Sequence, residues 1–388
     1  MNIKMTFFFR WILVALFMNI GLLNAQYIYT TKRDTSDIYK CVTSLYKTNI
    51  FTCEKEELFN FLELGYYGVY KVDVDDANNM LFFSYNLMLN YAMINLSNPS
   101  QSVNLTRDIG SSGSPESGIN YQTAYHHPSR TLYLFWRKFD PELDNKTGQI
   151  DSCAIVDPET GKNIKAFESF FDIYSATFSE DGKRLYATKT LPVEDRRLGK
   201  VVQLIINTED AEVIESITPE DITPEAHTAY FFKIGSHYKG VGNKLLAGAI
   251  YGEDDNKKRY MYVYNMDTKT KSRNILYNID GRVMLSSDGT KIIIDEYDPE
   301  NRRYKGVIHI LTVEWPENEN DENIMQIDDG IVVNVPSPDK PKNYYSRTHS
   351  VETFVTNPDV LLYYYHNKPF ESSYLIRLSD GKILRKGK

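Results

Sequence analysis

The stretch Phe178–Thr188, FSEDGKRLYAT, reads as strand, tight turn, strand, and a near copy, LSSDGTKIIID, begins at Leu285. In both, an Asp-Gly pair separates two short apolar runs, as in a hairpin whose turn needs positive φ. Relatives of this unit recur along the chain: VYKVDVDDANNMLFFS from Val69, TAYHHPSRTLYLFW from Thr123, ETFVTNPDVLLYYYH from Glu352, and a longer form, YFFKIGSHYKGVGNKLLAGAIY, from Tyr230. A second kind of hairpin follows each: YAMINLSNPSQSVNL from Tyr91, SCAIVDPETGKNIKAF from Ser152, VVQLIINTEDAEVIESI from Val201, YMYVYNMDTKTKSRNIL from Tyr260, VIHILTVEWPENENDENIMQI from Val307 and SYLIRLSDGKILRKG from Ser373.

The first hairpin recurs about every 45 to 70 residues with its partner about 20 to 30 residues on, the spacing of four-stranded propeller blades. Alternating apolar and polar positions over short runs, with helical periodicity almost absent, exclude alternating strand and helix units. A single such sheet cannot cover both of its faces, so the units must stack around an axis. The expected fold is all-β: a β-propeller of four-stranded antiparallel blades. Six units are visible. The segment QYIYTTKRDTSDIYKCVTSLYKTNIFTCE from Gln26 resembles three further strands of a blade. Seven blades are therefore favoured, since ring closure removes exposed sheet edges, with a capped six-bladed ring as the alternative. EKEELFNFLEL from Glu54 is the best candidate for a short helix, with Phe59 and Leu62 on one face.

The pattern F-S-x-D-G-x-x-L-Y at Phe178–Tyr186, its echo at Leu285–Ile293, and V-D-P-x-T-G-K at Val156–Lys162 resemble the secreted propellers of the YVTN/WD40-like and amine-dehydrogenase-β-chain-like group. The resemblance covers nearly the whole chain and implies the fold; it carries no catalytic motif. The Trp-Asp and Gly-His dipeptides of other propeller groups and the Gly-Gly of the kelch type are missing from their places. SSDGTK at Ser286–Lys291 departs from the sialidase Asp-box, with no residue between its Asp and Gly.

The 388 residues are 42% hydrophobic and carry a net charge of −8 without a long basic run, which argues against nucleic acid as a partner. Lys4 and Arg10, the apolar run from Trp11 to Leu23, and Ala25 form a signal-peptide pattern, shorter than a spanning helix needs. The expected organisation is a cleaved leader over 1–25, no transmembrane span thereafter, and one propeller domain over 26–388, in a secreted, periplasmic or cell-surface setting. Cys41 and Cys53 would face each other in a hairpin centred on Lys47, at a separation that suits a disulfide. Cys153 reads as a small buried hydrophobe. Asn95, Asn104 and Asn145 head Asn-X-Ser/Thr triplets, glycan acceptors if the secretory pathway is eukaryotic.

Seven histidines are scattered, and adjacent strand residues such as His126 and His127 point to opposite faces, a poor arrangement for one metal. DVDDANN at Asp73–Asn79 lacks the Gly and the distal Glu of a calcium loop. No phosphate loop or nucleophile elbow is present, and no cofactor or metal is expected. The acidic runs at 253–255 and 317–322 read as solubilising loops. Long loops between second and third strands share one slot, so the fold would gather them on one rim. They carry Arg137, Phe139, Arg196, Arg197, Arg259, Arg302, Arg303, Tyr304 and Phe370, a candidate binding face of arginines and aromatics. The expected function is a non-catalytic protein- or glycan-binding scaffold; the alternative is a metal-dependent hydrolase of the propeller lactonase type, working from the central channel.

Overall fold

The computed structural model describes residues 27–33, 41–69, 72–75, 79–86, 90–106, 120–126, 128–139, 149–168, 173–191, 200–232, 242–252, 256–300, 303–317, 323–336, 349–354, 357–365 and 373–386. Their strands form seven sheets, the blades of one ring, antiparallel throughout apart from one parallel pair in the blade 5 sheet. Blade 1 contains β1 (Tyr27–Arg33), β2 (Val42–Asn49) and β3 (Lys55–Asn60), and blade 2 contains β4 (Val72–Asp75), β5 (Met80–Tyr85), β6 (Asn90–Asn95) and β7 (Asn98–Asn104). Blade 3 runs β8 (Asn120–His126), β9 (Thr131–Phe139), β10 (Gln149–Val156), β11 (Asn163–Glu168). Blade 4 runs β12 (Ile173–Phe178), β13 (Arg184–Leu191), β14 (Lys200–Asn207), β15 (Val213–Ile217), and a single helical turn, α1 (Pro219–Ile222), leads into blade 5. Blade 5 holds β16 (Thr228–Phe231), β17 (Lys244–Tyr251), β18 (Lys258–Asn265) and an outer strand broken into β19 (Thr270–Lys271) and β20 (Ile275–Leu276). Blade 6 holds β21 (Gly281–Leu285), β22 (Lys291–Asp298), β23 (Arg303–Thr312) and, after an excursion containing β24 (Met325–Gln326), β25 (Ile331–Asn334). Blade 7 closes the chain with β26 (His349–Phe354), β27 (Asn357–Tyr365), β28 (Tyr374–Arg377) and β29 (Ile383–Arg385).

The six units read from the sequence are blades 2 to 7, and the N-terminal segment supplies the seventh sheet. Cores lie between blades: Tyr186, Val201 and Ile205 of blade 4 meet Leu245, Ala247 and Tyr262 of blade 5. Bulky tyrosines fill these gaps. Tyr133 and Tyr262 are buried yet keep their hydroxyls bonded, to the Thr208 carbonyl at 2.9 Å and to Thr223 Oγ1 at 3.2 Å.

The two Asp-Gly turns are one device used twice. Ser179 Oγ donates to Asp181 Oδ1 at 2.6 Å and accepts from Arg184 N at 3.0 Å; Ser286 Oγ donates to Asp288 Oδ1 at 2.5 Å and accepts from Lys291 N at 2.9 Å. Gly182 and Gly289 hold φ of +71° and +66°. The preceding blade plugs each turn: His126 of blade 3 lies against Gly182, and Lys244 of blade 5 reaches over Gly289 to the Asp288 carbonyl at 2.9 Å. A side chain on either glycine would occupy its neighbour's place. FSEDGKRLYAT is thus a dovetail between blades.

Two expectations are corrected. EKEELFNFLEL is mostly strand: β3 pairs with β2, Leu45 opposite Phe59, and Phe59 meets Phe61 edge-on at 5.6 Å. Pairing with a neighbouring strand overrides the weak helical pattern. Cys41 and Cys53 are not bridged, because Lys47 lies inside β2 and the reversal falls at 49–54, leaving the two cysteines at opposite ends of an eight-residue strand. Cys153 is buried, and burial pushes its thiol pKa up, as expected of a packing residue.

Among the described residues, no sheet mixes strands from the two chain ends. Blade 1 meets blade 7 through Ile28, Ile50, Val360, Leu362 and Leu375, with Arg385 contacting the sulfur of Cys53. Among the described residues, side-chain packing joins the two ends of the ring.

Candidate functional site

In each blade an antiparallel meander sends the second-to-third connection to one rim and the Asp-Gly-type turns to the other. The strand order is the one from which the shared slot of the long loops was inferred; most residues of those loops lie outside the described residues. Of the candidate rim residues, Arg196, Arg197, Arg302 and Phe370 lie outside the described residues, and Arg137, Phe139 and Arg303 are placed only as strand positions. Arg259 and Tyr304 are described with their side chains. Arg259 Nη1 lies 3.5 Å from Asp280 Oδ1 on the exposed rim of blade 5. Tyr304 stands edge-on to Tyr297 at 5.1 Å, beneath the guanidinium of Arg282, also at 5.1 Å. A bulge after Asp295 in β22 turns Glu296 toward His309, Nε2 to Oε2 3.4 Å, and Lys305 pairs with the same carboxylate. Among the described residues no three His, Cys, Asp or Glu side chains converge as a metal site. His126, flagged in the sequence, bonds Ser129 at 2.6 Å and the Glu180 carbonyl at 3.2 Å, a contact between blades.

A cleft lies on the outer edge of blade 5, where sequence reasoning placed nothing. Its origin is the broken outer strand. The excursion of blade 6 crosses to blade 5, so that β24 pairs in parallel with β20, Met325 N donates to the Asn274 carbonyl at 2.9 Å, and Arg273 N donates to the Glu314 carbonyl at 2.8 Å. Arg273 Nη1 adds an ion pair to Glu314 Oε2 at 2.6 Å. Between the lacing and the sheet remains a cleft of about 1090 Å³, walled by Tyr251, Tyr260, Lys271, Asn274, Trp315 and Ile324 among others. Trp315 and Ile324 stay 37% and 46% exposed, large apolar surface left open to solvent at one place.

Its electrostatics are built from the same blade. Tyr251 stacks edge-on to Tyr260 at 5.5 Å and donates to Glu225 Oε1 at 2.7 Å. Burial, and then that carboxylate, push the Tyr251 pKa up, while the hydrogen bond from Tyr251 holds Glu225 below the usual carboxylate range. Lys269, Lys271 and Arg273 alternate along the broken strand. Lys269 pairs with Glu215 at 2.9 Å and Arg273 with Glu314. Lys271 lies over the ring of Tyr262, 5.1 Å from its centroid; burial pushes its pKa down, and the charge of Glu225 offsets part of that. Local sequence offered one signal for this site, Trp-Pro inside an otherwise acidic loop. The contact that makes the wall joins strands about 50 residues apart, beyond the reach of hairpin reasoning.

No known protein family matches the sequence, and no curated protein does. Solved structures do match in shape. An oligogalacturonate lyase from Vibrio parahaemolyticus aligns at 13% identity over 85% of this chain and 82% of its own, with a TM-score of 0.53. An oligogalacturonate lyase in complex with manganese aligns at 13% identity over 88% and 84%, TM-score 0.51. The β-propeller domain of the trilobed protease from Pyrococcus furiosus aligns at 12% over 83% and 85%, TM-score 0.44. At these identities the likeness is one of fold: the chain is a seven-bladed β-propeller, an architecture shared by enzymes and scaffolds alike.

Proposed function

We propose that the protein is an exported propeller that binds a glycan without transforming it, in the cleft at the edge of blade 5, with the second-to-third-strand rim beside it. The observation that carries this reading is the half-open Trp315 in a cleft that also presents Tyr251 and Tyr260. Aromatic faces of this kind match the C–H faces of sugar rings. A volume of about 1090 Å³ is at the upper end for a small-ligand site and suits a few linked rings better than the flat patch of a protein partner. Export rests on the N-terminal pattern from Lys4 to Ala25, and the same compartment would present glycans to the cleft.

Calorimetric titration of the full chain with a panel of neutral and acidic oligosaccharides tests the reading. Binding with unchanged ligand recovered, lost in Trp315→Ala, is the expected outcome. Cleavage products in the recovered ligand, or binding untouched by Trp315→Ala, would count against it.

A further inference from the structure

The polar groups around the cleft are nearly all committed to the protein itself. Asn265 Oδ1 accepts from Asp267 N at 3.0 Å, Thr268 N at 3.2 Å and Asn243 Nδ2 at 3.1 Å. Ser272 Oγ accepts from Val263 N at 2.8 Å and donates to the Arg273 carbonyl at 3.2 Å. The Thr268 and Thr270 hydroxyls bond each other at 2.7 Å. Lys269, Arg273 and Tyr251 each have a carboxylate already.

Lys271 does not. Among the described residues no carboxylate lies within ion-pair distance of its ammonium, which is partly withdrawn from water over the Tyr262 ring. An unpaired, half-desolvated cation costs stability that a Met or Leu at the same position would not. Such local conflicts are expected where a site is kept for a ligand.

We propose that the glycan taken by this cleft is acidic, and that one carboxylate or sulfate group on a sugar ring pairs with Lys271 Nζ while Trp315 covers that ring or the next. This rests on the reading of the cleft as a glycan site. The charges around Lys271 set its valence. Glu215 and Glu314 neutralise the two flanking cations, and the charge of Glu225, bonded by Tyr251, reaches Lys271 without an ion pair between them. One anionic group is therefore accommodated and a dense polyanion is repelled. Inside a partly desolvated cleft, a charge-assisted bond from an ammonium is about twice as strong as a neutral one, so the acid would dominate selection.

The test uses the full chain and matched disaccharides that differ only in a single acid group: cellobiose against cellobiouronate, lactose against lactose whose galactose is replaced by galacturonate, and lactose against 3′-sulfolactose. The expected result is at least about a tenfold preference for the acidic member of a pair at neutral pH, abolished by Lys271→Met, kept by Lys271→Arg, with all binding lost in Trp315→Ala. A preference carried by the sulfated disaccharide alone identifies sulfate as the anion and supports the proposal. Equal binding of neutral and acidic members, or a preference that survives Lys271→Met, overturns the acidic assignment and leaves the glycan reading standing. Binding of no oligosaccharide overturns both. Melting curves of the variants separate loss of ligand from loss of fold.

Discussion

Leu361 and Leu362 are neighbours in β27 and both fully buried, yet they face different seams. Leu361 packs among twelve buried residues between blades 6 and 7, and Leu362 among five between blades 7 and 1, counted among the described residues. At about 2 kcal/mol for each buried side chain, the closing seam gathers about 10 kcal/mol and the seam on the other face about 25. Replacing either leucine by alanine removes about 3 kcal/mol, the transfer of its methyl groups plus a cavity. That is about a third of the closing seam, but about an eighth of the other. Among the described strands none of blade 1 belongs to the sheet of blade 7, so side-chain packing is what joins the two. Leu362→Ala is therefore expected to open the ring locally. Hydrogen exchange read by mass spectrometry would show amides of β1, β2 and β28 exchanging faster, while β9, β10, β13 and β14 keep their protection. Leu361→Ala would lower the melting temperature comparably without selective exposure of β1. Uniform loss of protection in Leu362→Ala, or equal exposure of β1 in both variants, would refute ends joined by side-chain packing.

The dovetail predicts that Gly182→Ala is far costlier than Gly65→Ala, although both glycines have positive φ. The Cβ at Gly182 would fall 2.4 Å from His126 Nδ1, whereas that at Gly65 meets nothing within 4 Å. Denaturant titration should find about 1–2 kcal/mol lost at Gly65 and about 3 kcal/mol or more at Gly182, and equal losses would remove the dovetail. Lys271→Met is expected to raise unliganded stability at pH 7 by about 0.5–1 kcal/mol, because it deletes a desolvated charge that has no ion pair to lose. Burial lowers the folded pKa of Lys271 below its unfolded value, so between the two the unfolded chain binds more protons and wild-type stability climbs with pH. The gain from Lys271→Met should be full below that window and vanish above it, as melting curves from pH 7 to pH 11 would report; a gain that does not shrink contradicts the assignment.

What was legible in the sequence was what the chain determines locally. The Ser179, Asp181 and Gly182 bonds span five residues, and their echo at Ser286 repeats them, so strand pairing and blade identity followed from hairpins alone. Errors arose where a distant partner decided. Glu54–Leu64 has apolar residues at spacings that fit a short helix, and only β2 beside it makes alternation the winning pattern. The Cys41–Cys53 expectation placed the reversal a few residues early, at Lys47 instead of 49–54, which is enough to separate the cysteine side chains along a strand. The cleft could not be seen because it depends on β24 leaving its own blade to pair with β20 of another, a parallel contact that no turn chemistry announces.

Trp315 provides the direct measurement. The chain holds three tryptophans: Trp11 in the N-terminal apolar run, Trp136 packed partly buried between blades 2 and 3, and Trp315 in the cleft. In a Trp11→Phe, Trp136→Phe protein, indole fluorescence reports on Trp315 alone. A ligand seated in the cleft predicts a saturable change in its emission on titration with acidic oligosaccharides, absent with monovalent salt at equal ionic strength and weakened by Lys271→Met. Emission that stays constant while calorimetry registers binding would place the ligand elsewhere on the ring and contradict the cleft as the site.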